Sequence, residues 1–357
     1  MKRFTSFRSI FMTTALAAGT LALSSCEDKA SRPKGTYAEN AVLISNEGAF
    51  TASNASVSYY NRNNGTVENN IFSKENDRQV LGDVLQSIAV YNDRAYMVMN
   101  NSQKVVVANA NTFKAEGEIS GLEMPRYFAA LDNQKAYVTE WVSFDNNGRV
   151  AVIDLNTLTV TKTIEVGVNP EQLIIAGGKV YVGHANGDFI SVINTSSDAV
   201  ETTIPVTHGP SYLVVDRDNN LWALSSGMKD WRVDKSQHTA GALAKINLSS
   251  NTVTNTLTFA SNTASSGRLA INSSKDKLLY SYNGKIHQQD ISTNTLNSTP
   301  LINRSSNSIG VDPASNYIYI GTAPNYSSDD WVVRYNTTGA VVDSFRVGIA
   351  PNGFVFR

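Results

Sequence analysis

The chain has 357 residues, and its 30 Lys and Arg side chains nearly balance 31 Asp and Glu side chains, for a formal net charge of −1. No dense block of basic residues occurs, which argues against nucleic acid as a partner. The length alone would allow two domains, but the repeats described below favour one.

The first 25 residues have the pattern of a lipoprotein signal peptide. Lys2 and Arg3 provide a basic start, residues 9–23 are apolar, and Leu-Ser-Ser-Cys at 23–26 has the form of a lipobox. Cys26 is the only cysteine, so it cannot form an internal disulfide. The pattern predicts removal of residues 1–25 and lipidation of Cys26.

Residues 26–40 are polar and contain Pro and Gly, which is typical of a flexible tether. Glu27 and Asp28 resemble the acidic export signal of surface lipoproteins in some Gram-negative bacteria. The sequence therefore predicts an outer-membrane lipoprotein that is attached to the membrane only through its lipid and is exposed at the cell surface. The periplasmic face of that membrane is the alternative.

From Ala41 onward, short alternating or β-branched runs are separated by clusters of Asn, Gly, Asp and Ser, which indicates an all-β chain. The runs form a repeating unit of four strands, a to d, with the cleanest copy in PEQLIIA, KVYVGHA, FISVINT and AVETTIPV. The next copy starts at Pro210, about 40 residues after Pro170, and this period is typical of propeller blades.

Seven blades are predicted, because the b-type run occurs seven times: AVLISN, RAYMVMN, KAYVTEW, KVYVGH, LWALSS, KLLYSY and YIYIGT. The c-type runs agree with this number, but the first unit lacks an a strand. The C-terminal PNGFVFR has the a-strand pattern and is predicted to pair beside AVLISN, which would remove the free sheet edge that an open array would expose. The sequence thus predicts an all-β, seven-bladed β-propeller over residues 41–357, with its first blade closed by the C-terminal strand.

Two sets of motifs carry a resemblance to known families. YVTE at 137–140, with VAVIDLNTLTVTKTIEVGVNPEQL after it, resembles the YVTN-type repeat of YncE-like seven-bladed propellers. LISNEGAFTASNASVSYYN, LGDVLQSI and VGIAPNGFVF resemble a subfamily of surface lipoproteins that includes the BtuG-type cobalamin-capturing proteins. The resemblance implies capture of a cobalamin-like ligand for a TonB-dependent transporter. The shared motifs are strand, turn and closure residues, so no ligand contact is carried over.

The mouth of the axial channel is the first candidate site. The two positions after the start of each a strand are expected to line it: Gln86, Ser87, Arg126, Tyr127, Glu171, Gln172, Ser211, Tyr212, Gly267, Arg268, Asn307, Ser308, Asn352 and Gly353. Only Glu171 in this ring carries a carboxylate, with Glu47 and Glu140 near the ends of two b strands. A metal-dependent hydrolase needs several convergent carboxylates for a hard cation, so the ring argues against one.

Large aromatic residues occur in the long b-to-c loops of the odd-numbered blades. Such residues stack on flat, partly apolar ligands such as a corrinoid, a porphyrin or a sugar ring. The alternative is that they pack their own loops against the blades. The predicted ligand-binding residues combine these aromatics with charged and phenolic groups of the ring: Trp141, Phe144, Trp231, Trp331, Tyr326, Arg126, Tyr127, Glu171, Tyr212 and Arg268.

The histidines do not predict a metal site. His184 ends a b strand and His208 precedes an a strand, so both could face the channel mouth, but no third ligand is defined. His238 lies in the longest loop, and His287 is expected to be structural. No catalytic or cofactor-binding motif occurs, so the sequence predicts no catalytic residue, no cofactor and no enzymatic activity.

Three functions remain open from the sequence. The favoured one is a surface lipoprotein that captures a nutrient and passes it to an outer-membrane transporter. A protein-interaction scaffold would use the same loops to bind a partner protein. A lactonase or other hydrolase would need acidic residues that the ring mostly lacks.

Overall fold

The computed structural model describes Met1 and residues 35–144, 146–230 and 232–357. The chain divides into two units, Met1–Lys34 and Gly35–Arg357. The predicted signal peptide, Cys26 and most of the predicted tether lie outside the described residues. No helix in the described part is long and apolar enough to cross a membrane.

The described residues of Gly35–Arg357 form seven antiparallel sheets, the blades, as predicted. The strands of blades 1 to 3 are β1 (Ala41–Asn46), β2 (Ser56–Asn61), β3 (Val67–Glu68), β4 (Leu85–Tyr91), β5 (Arg94–Met99), β6 (Lys104–Asn109), β7 (Ala115–Ile119), β8 (Pro125–Ala130), β9 (Lys135–Glu140), β10 (Asn147–Asp154) and β11 (Thr159–Val168).

Blade 4 contains β12 (Pro170–Ala176), β13 (Lys179–His184), β14 (Phe189–Asn194) and β15 (Ala199–Pro205), and blade 5 contains β16 (Pro210–Val215), β17 (Asn220–Ser225), β18 (Ala242–Asn247) and β19 (Thr252–Thr258). Blade 6 contains β20 (Ser266–Ile271), β21 (Lys277–Tyr282) and β22 (Lys285–Asp290), and blade 7 contains β23 (Ser308–Val311), β24 (Ile318–Gly321), β25 (Trp331–Tyr335) and β26 (Val341–Arg346). The last strand, β27 (Pro351–Phe356), belongs to blade 1. A short α-helix, α1 (Ile71–Glu75), follows β3, and a 3-10 turn spans Lys235–Gln237.

The innermost strands of the blades contact one another in a closed ring, in the order β27, β4, β8, β12, β16, β20, β23 and back to β27. The second and third strands of each blade are buried on both faces because neighbouring blades cover them, which explains their nearly continuous apolar runs. One such core joins Tyr181 and Val192 of blade 4 to Leu213 and Ala223 of blade 5. The outermost strands are mostly exposed and correspondingly polar.

The predicted closure of the first blade is confirmed. Strand β27 pairs antiparallel with β1, with Phe354 opposite Ile44 and Phe356 opposite Val42. The ring of Phe356 packs edge-on against Tyr319 of blade 7, with ring centroids 5.2 Å apart. The first and last strands of the propeller therefore share one blade and one interface with blade 7.

Blade 6 departs from the four-strand unit, because the described residues supply it with only three strands. After β22, the chain makes only an isolated bridge, between Ile302 and Ile286. The connecting segment is rich in Asn, Ser and Thr and lacks β-strand alternation. The Gln289 side chain compensates by donating to the Thr295 carbonyl, at 3.1 Å, and by accepting from the Asn297 N–H, at 3.0 Å.

Candidate binding site at the mouth of the axial channel

A β-bulge near the start of the inner strand directs side chains toward the axis. In six of the seven described blades the pairing of the inner strand with its neighbour shifts register there, as between Pro125 and Phe128 or between Gly267 and Leu269. A bulge leaves the extra residue outside the ladder and bends the strand. The residues skipped in this way include Arg126, Glu171 and Arg268, which all belong to the predicted ring.

The ring encloses a cavity of about 260 Å³ on the axis. Eight of the fourteen predicted ring residues line it, namely Gln86, Ser87, Tyr127, Gln172, Tyr212, Arg268, Asn352 and Gly353. The other six, Arg126, Glu171, Ser211, Gly267, Asn307 and Ser308, are not among its lining residues. Apolar residues that follow them on the same strands line it too: Ile88, Ala89, Phe128, Leu173, Leu269, Ile309 and Phe354. A ligand at the mouth therefore meets hydrogen-bonding groups together with apolar surface.

Arg126 is the centre of one half of the mouth. Its guanidinium donates to Glu171 Oε1 at 2.8 Å and to Gln86 Oε1 at 2.6 Å. The guanidinium also stacks on the ring of Trp141, with Cζ 4.2 Å from the ring centroid. Burial raises the pKa of Glu171, while the charge of Arg126 acts in the opposite direction. This half combines an ion pair with a cation–π contact, so its aromatic surface is held in a fixed position.

Arg268 is the centre of the other half. Its guanidinium donates to the Tyr212 hydroxyl at 2.9 Å and to Asn307 Oδ1 at 3.4 Å. Tyr326, from the long loop of blade 7, donates its hydroxyl to the same Asn307 oxygen at 2.9 Å. Tyr127 lies between the two halves, and burial raises the pKa of its phenol. No sequence pattern indicated that Asn307 links an inner strand to the loop of blade 7.

The predicted aromatic residues differ in their positions. Phe144 is 65% exposed and meets Trp141 edge-on at 5.6 Å, so both border the Arg126 half. Tyr326 is 47% exposed and reaches the mouth through its hydroxyl. Trp331 is also 47% exposed, but it begins β25, the third strand of its blade, opposite Arg346 of the outer strand. Trp231 lies outside the described residues.

A second cavity, of about 510 Å³, lies beside Phe144. Besides Val168 of blade 3, its other lining residues come from blades 4 and 5 and include Asn186, His208, Met228 and Lys229. The Lys229 ammonium is not free, because it donates to the carbonyls of Thr239 and Asn262. The exposed face of Phe144 is therefore shared between this cavity and the border of the channel mouth.

His184 does not share that cavity with His208. It is fully buried, with Nε2 2.9 Å from the Ser191 hydroxyl and Nδ1 3.3 Å from the Val168 carbonyl. Burial lowers the pKa of His184 to about 4, so the ring is neutral at physiological pH. Among the described residues no group of three His, Cys, Asp or Glu side chains is arranged to hold a metal ion.

Glu140, the second acid expected to reinforce the ring, is fully buried in an ion pair instead. Its carboxylate accepts from Arg149 Nε at 3.0 Å and from the Glu123 N–H at 2.5 Å. These contacts connect the end of β9 to β10 and to Glu123, which precedes β8. Glu47 lies closer to the mouth, and burial raises the pKa of its carboxyl against the charges of Arg268 and Arg126.

Solved structures of the same architecture come from several bacteria. A quinoprotein alcohol dehydrogenase-like protein from Bacteroides thetaiotaomicron is similar with a TM-score of 0.65 and 14% identity, over 89% of this chain and 78% of the other. A periplasmic gluconolactonase from Pseudomonas aeruginosa is similar with a TM-score of 0.66 and 12% identity, over 88% of this chain and 98% of the other. A functionally unknown protein from Desulfotomaculum acetoxidans gives 0.66 and 11%, over 89% and 99%. At such low identity the likeness shows the fold alone.

Comparison of the sequence with curated proteins finds no match. A family model does match, over residues 40–356, which is almost the whole propeller. The chain therefore belongs to the family described as "Domain of unknown function (DUF5074)".

Proposed function

We propose that this protein binds a small, flat and partly apolar molecule over the mouth of its axial channel. The favoured ligand class is a corrinoid such as cobalamin, because of the resemblance to the BtuG-type lipoproteins. The observation that carries the proposal is the stack of Arg126 on Trp141 beside the exposed ring of Phe144. A stacked, ion-paired arginine keeps an aromatic surface in place without a ligand, which lowers the ordering cost of binding.

The polar groups of the mouth support a ligand with peripheral hydrogen-bonding groups. Arg268, Gln172 and Tyr212 border the same cavity as the apolar Leu173 and Leu269. Ligand sites of this kind are mostly apolar and contain a few polar groups that fix orientation. A porphyrin or an oligosaccharide would also present rings for stacking and polar groups at the edge.

We propose further that a lipid on Cys26 anchors the protein to the outer membrane at the cell surface, where it passes its ligand to a TonB-dependent transporter. Two or more acyl chains at one cysteine provide stable membrane attachment. The Cys26→Ala variant should leave the membrane fraction in the host cell. If that variant still fractionates with the outer membrane, the proposed lipid anchor is wrong. The ligand-binding proposal does not depend on this result, because it is tested with the purified protein.

The binding test is a titration of the purified protein with cobalamin, cobinamide, haem and maltoheptaose, followed by tryptophan fluorescence. Trp141→Ala should weaken binding of the ligand that is found by about 1–3 kcal/mol, which is about 5- to 150-fold in Kd. Trp141→Phe is the matched control, because it keeps an aromatic face for Arg126 and should retain most of the affinity. Both variants should melt close to the wild type.

Trp331→Ala measures whether the stacking surface extends to blade 7. If all four probes bind more weakly than millimolar, or if binding survives Trp141→Ala unchanged, the proposed site is wrong. Loss of a protein partner in these variants, without any small-molecule signal, would favour the interaction scaffold. Turnover of a lactone such as glucono-1,5-lactone would favour a hydrolase.

A further inference from the structure

Four charged side chains lie at the mouth in the described part of the chain: Arg126, Arg268, Glu47 and Glu171. Two of them, Arg126 and Glu171, neutralise each other in a direct ion pair at 2.8 Å. The remaining two, Arg268 and Glu47, make no ion pair with each other or with any other described residue. The mouth is thus balanced in charge but contains one cation and one anion without a direct ionic partner.

Arg268 has neutral partners only, the Tyr212 hydroxyl and the Asn307 side-chain oxygen. A guanidinium offers five N–H donors, so part of its capacity stays available to a ligand. Its backbone has a φ of 47°, in the left-handed region that residues other than glycine rarely adopt. The bulge between Gly267 and Leu269 holds Arg268 in this conformation, which places its side chain at the axial cavity.

Glu47 follows β1 directly and is fixed over the two inner strands nearest to it. Its N–H donates to the Ala350 carbonyl at 3.0 Å, and its carbonyl accepts from the Leu85 N–H at 3.2 Å. Within the described residues its carboxylate accepts no hydrogen bond, although it is only partly exposed and feels the charges of Arg268 and Arg126. Glu47 therefore contributes a negative charge and an acceptor that has no donor among the described residues, whereas Arg268 contributes a positive charge and spare donors.

We propose that Glu47 and Arg268 make the mouth selective for neutral ligand groups that both donate and accept hydrogen bonds, such as a carboxamide or a pair of hydroxyls. A group of this kind accepts from Arg268, donates to Glu47 and leaves the net charge of the mouth at zero. A ligand carboxylate would form an ion pair with Arg268, but it would also be repelled by the Glu47 carboxylate. In a partly desolvated site such an uncompensated negative charge is costly. The selectivity rests on the proposed binding function and narrows its ligand class.

The test uses pairs of probes that differ only in charge. One pair is cobalamin and the derivative in which one side-chain amide is hydrolysed to a carboxylate; the other is maltoheptaose and the derivative in which one primary alcohol is oxidised to a carboxylate. Isothermal titration of the wild type should give the neutral member of a pair at least about tenfold tighter binding. The two pairs also separate amide from hydroxyl recognition.

Glu47→Gln is the decisive variant, because it removes the negative charge and leaves the mouth net positive. It should weaken the neutral probe and strengthen the acidic one, so that the preference falls by about tenfold or reverses. Glu201→Gln is the matched control, since it removes one negative charge from the outer strand of blade 4, where Glu201 pairs with Lys179 away from the mouth. Thermal melting of both variants checks that each is folded.

Tighter binding of the acidic member by the wild type would overturn the selectivity while leaving the binding function intact. An unchanged preference in Glu47→Gln would do the same. If neither member of either pair binds, the selectivity is wrong, and the titrations with cobinamide and haem decide the binding function on their own. A preference for the neutral member that Glu47→Gln removes and Glu201→Gln retains is the expected result.

Discussion

Replacing Phe354 with Ala tests how much the shared first blade contributes to stability. Phe354 lies on β27, opposite Ile44 of β1, and packs against Tyr319 of blade 7 with ring centroids 5.8 Å apart. A Cβ added at Gly310 would lie only 2.7 Å from the Phe354 ring, so the ring fills the space between the two blades. The variant would leave a void where the two ends of the chain meet blade 7.

The expected loss follows from partial burial. A fully buried Phe→Ala change costs about 3–5 kcal/mol, from lost transfer energy and the cavity left behind. Phe354 is only partly buried, because one edge borders the axial cavity. We therefore expect a loss of about 2–3 kcal/mol in the free energy of unfolding, a large share of the 5–15 kcal/mol typical of a folded domain.

Urea-induced unfolding at 25 °C, followed by tryptophan fluorescence, measures this loss as a lower midpoint. Phe50→Ala is the matched control, because Phe50 is 72% exposed in a loop and its truncation should change stability by less than about 0.5 kcal/mol. A Phe354→Ala midpoint within the error of the Phe50→Ala midpoint would contradict a stabilising contact between β27 and blade 7.

Two further predictions concern the fold. His184 has a pKa lowered to about 4 from 6.5, so the native state binds fewer protons than the unfolded state between these values, and stability falls as the pH drops through that window. The shift corresponds to about 3 kcal/mol in the free energy of unfolding. In urea unfolding at pH 7 and at pH 4.5, His184→Gln should therefore lose less stability between the two pH values than the wild type does. Equal losses would contradict a buried neutral histidine. Gly183→Ala would place a Cβ 2.0 Å from the Pro210 carbonyl oxygen and should cost about 3 kcal/mol, whereas Gly267→Ala, with no atom nearer than 3.8 Å, should change the melting temperature little.

The blade pattern could be predicted from the sequence because each strand is a short local signal that recurs at a regular spacing. The fourth strand of blade 6 was the exception, since its segment is rich in Asn, Ser and Thr without strand alternation, and the Gln289 side chain bonds two of its backbone groups. The closing strand was predictable because PNGFVFR repeats the pattern of the other inner strands, such as PEQLIIA. At the closing strand, the local sequence pattern and the closure of the ring favour the same structure, as expected for a minimally frustrated fold.

The residue pattern identified part of the cavity lining, eight of the fourteen predicted ring residues, but it did not predict which ring residues pair. The position after each strand start identifies Arg126 and Glu171 as ring residues, yet they are 45 positions apart in the chain, and only the closed ring brings them together. The same limit applies to the tryptophans. Trp141 follows the second strand of its blade and stacks on an axial arginine, whereas Trp331 begins a third strand and lies next to an outer one. The distance of a residue from the channel axis depends on which strand of the blade it adjoins. The presence of an aromatic residue in a loop does not reveal that distance.

The hydrogen bonds of the mouth connect each inner strand to the next, so the site and the ring are one structure. The Asn352 amide, on the closing strand, donates to the Leu85 carbonyl at 2.7 Å, and the Ser87 hydroxyl donates to the Arg126 carbonyl at 2.7 Å. Gln172 continues the series by accepting from the Leu213 N–H at 2.7 Å. Because these contacts exist before any ligand binds, the mouth is preorganised and binding has little backbone left to order. The capacity for further hydrogen bonds and ion pairs is concentrated at Arg268 and Glu47. For this reason we expect these two residues to determine which ligand binds.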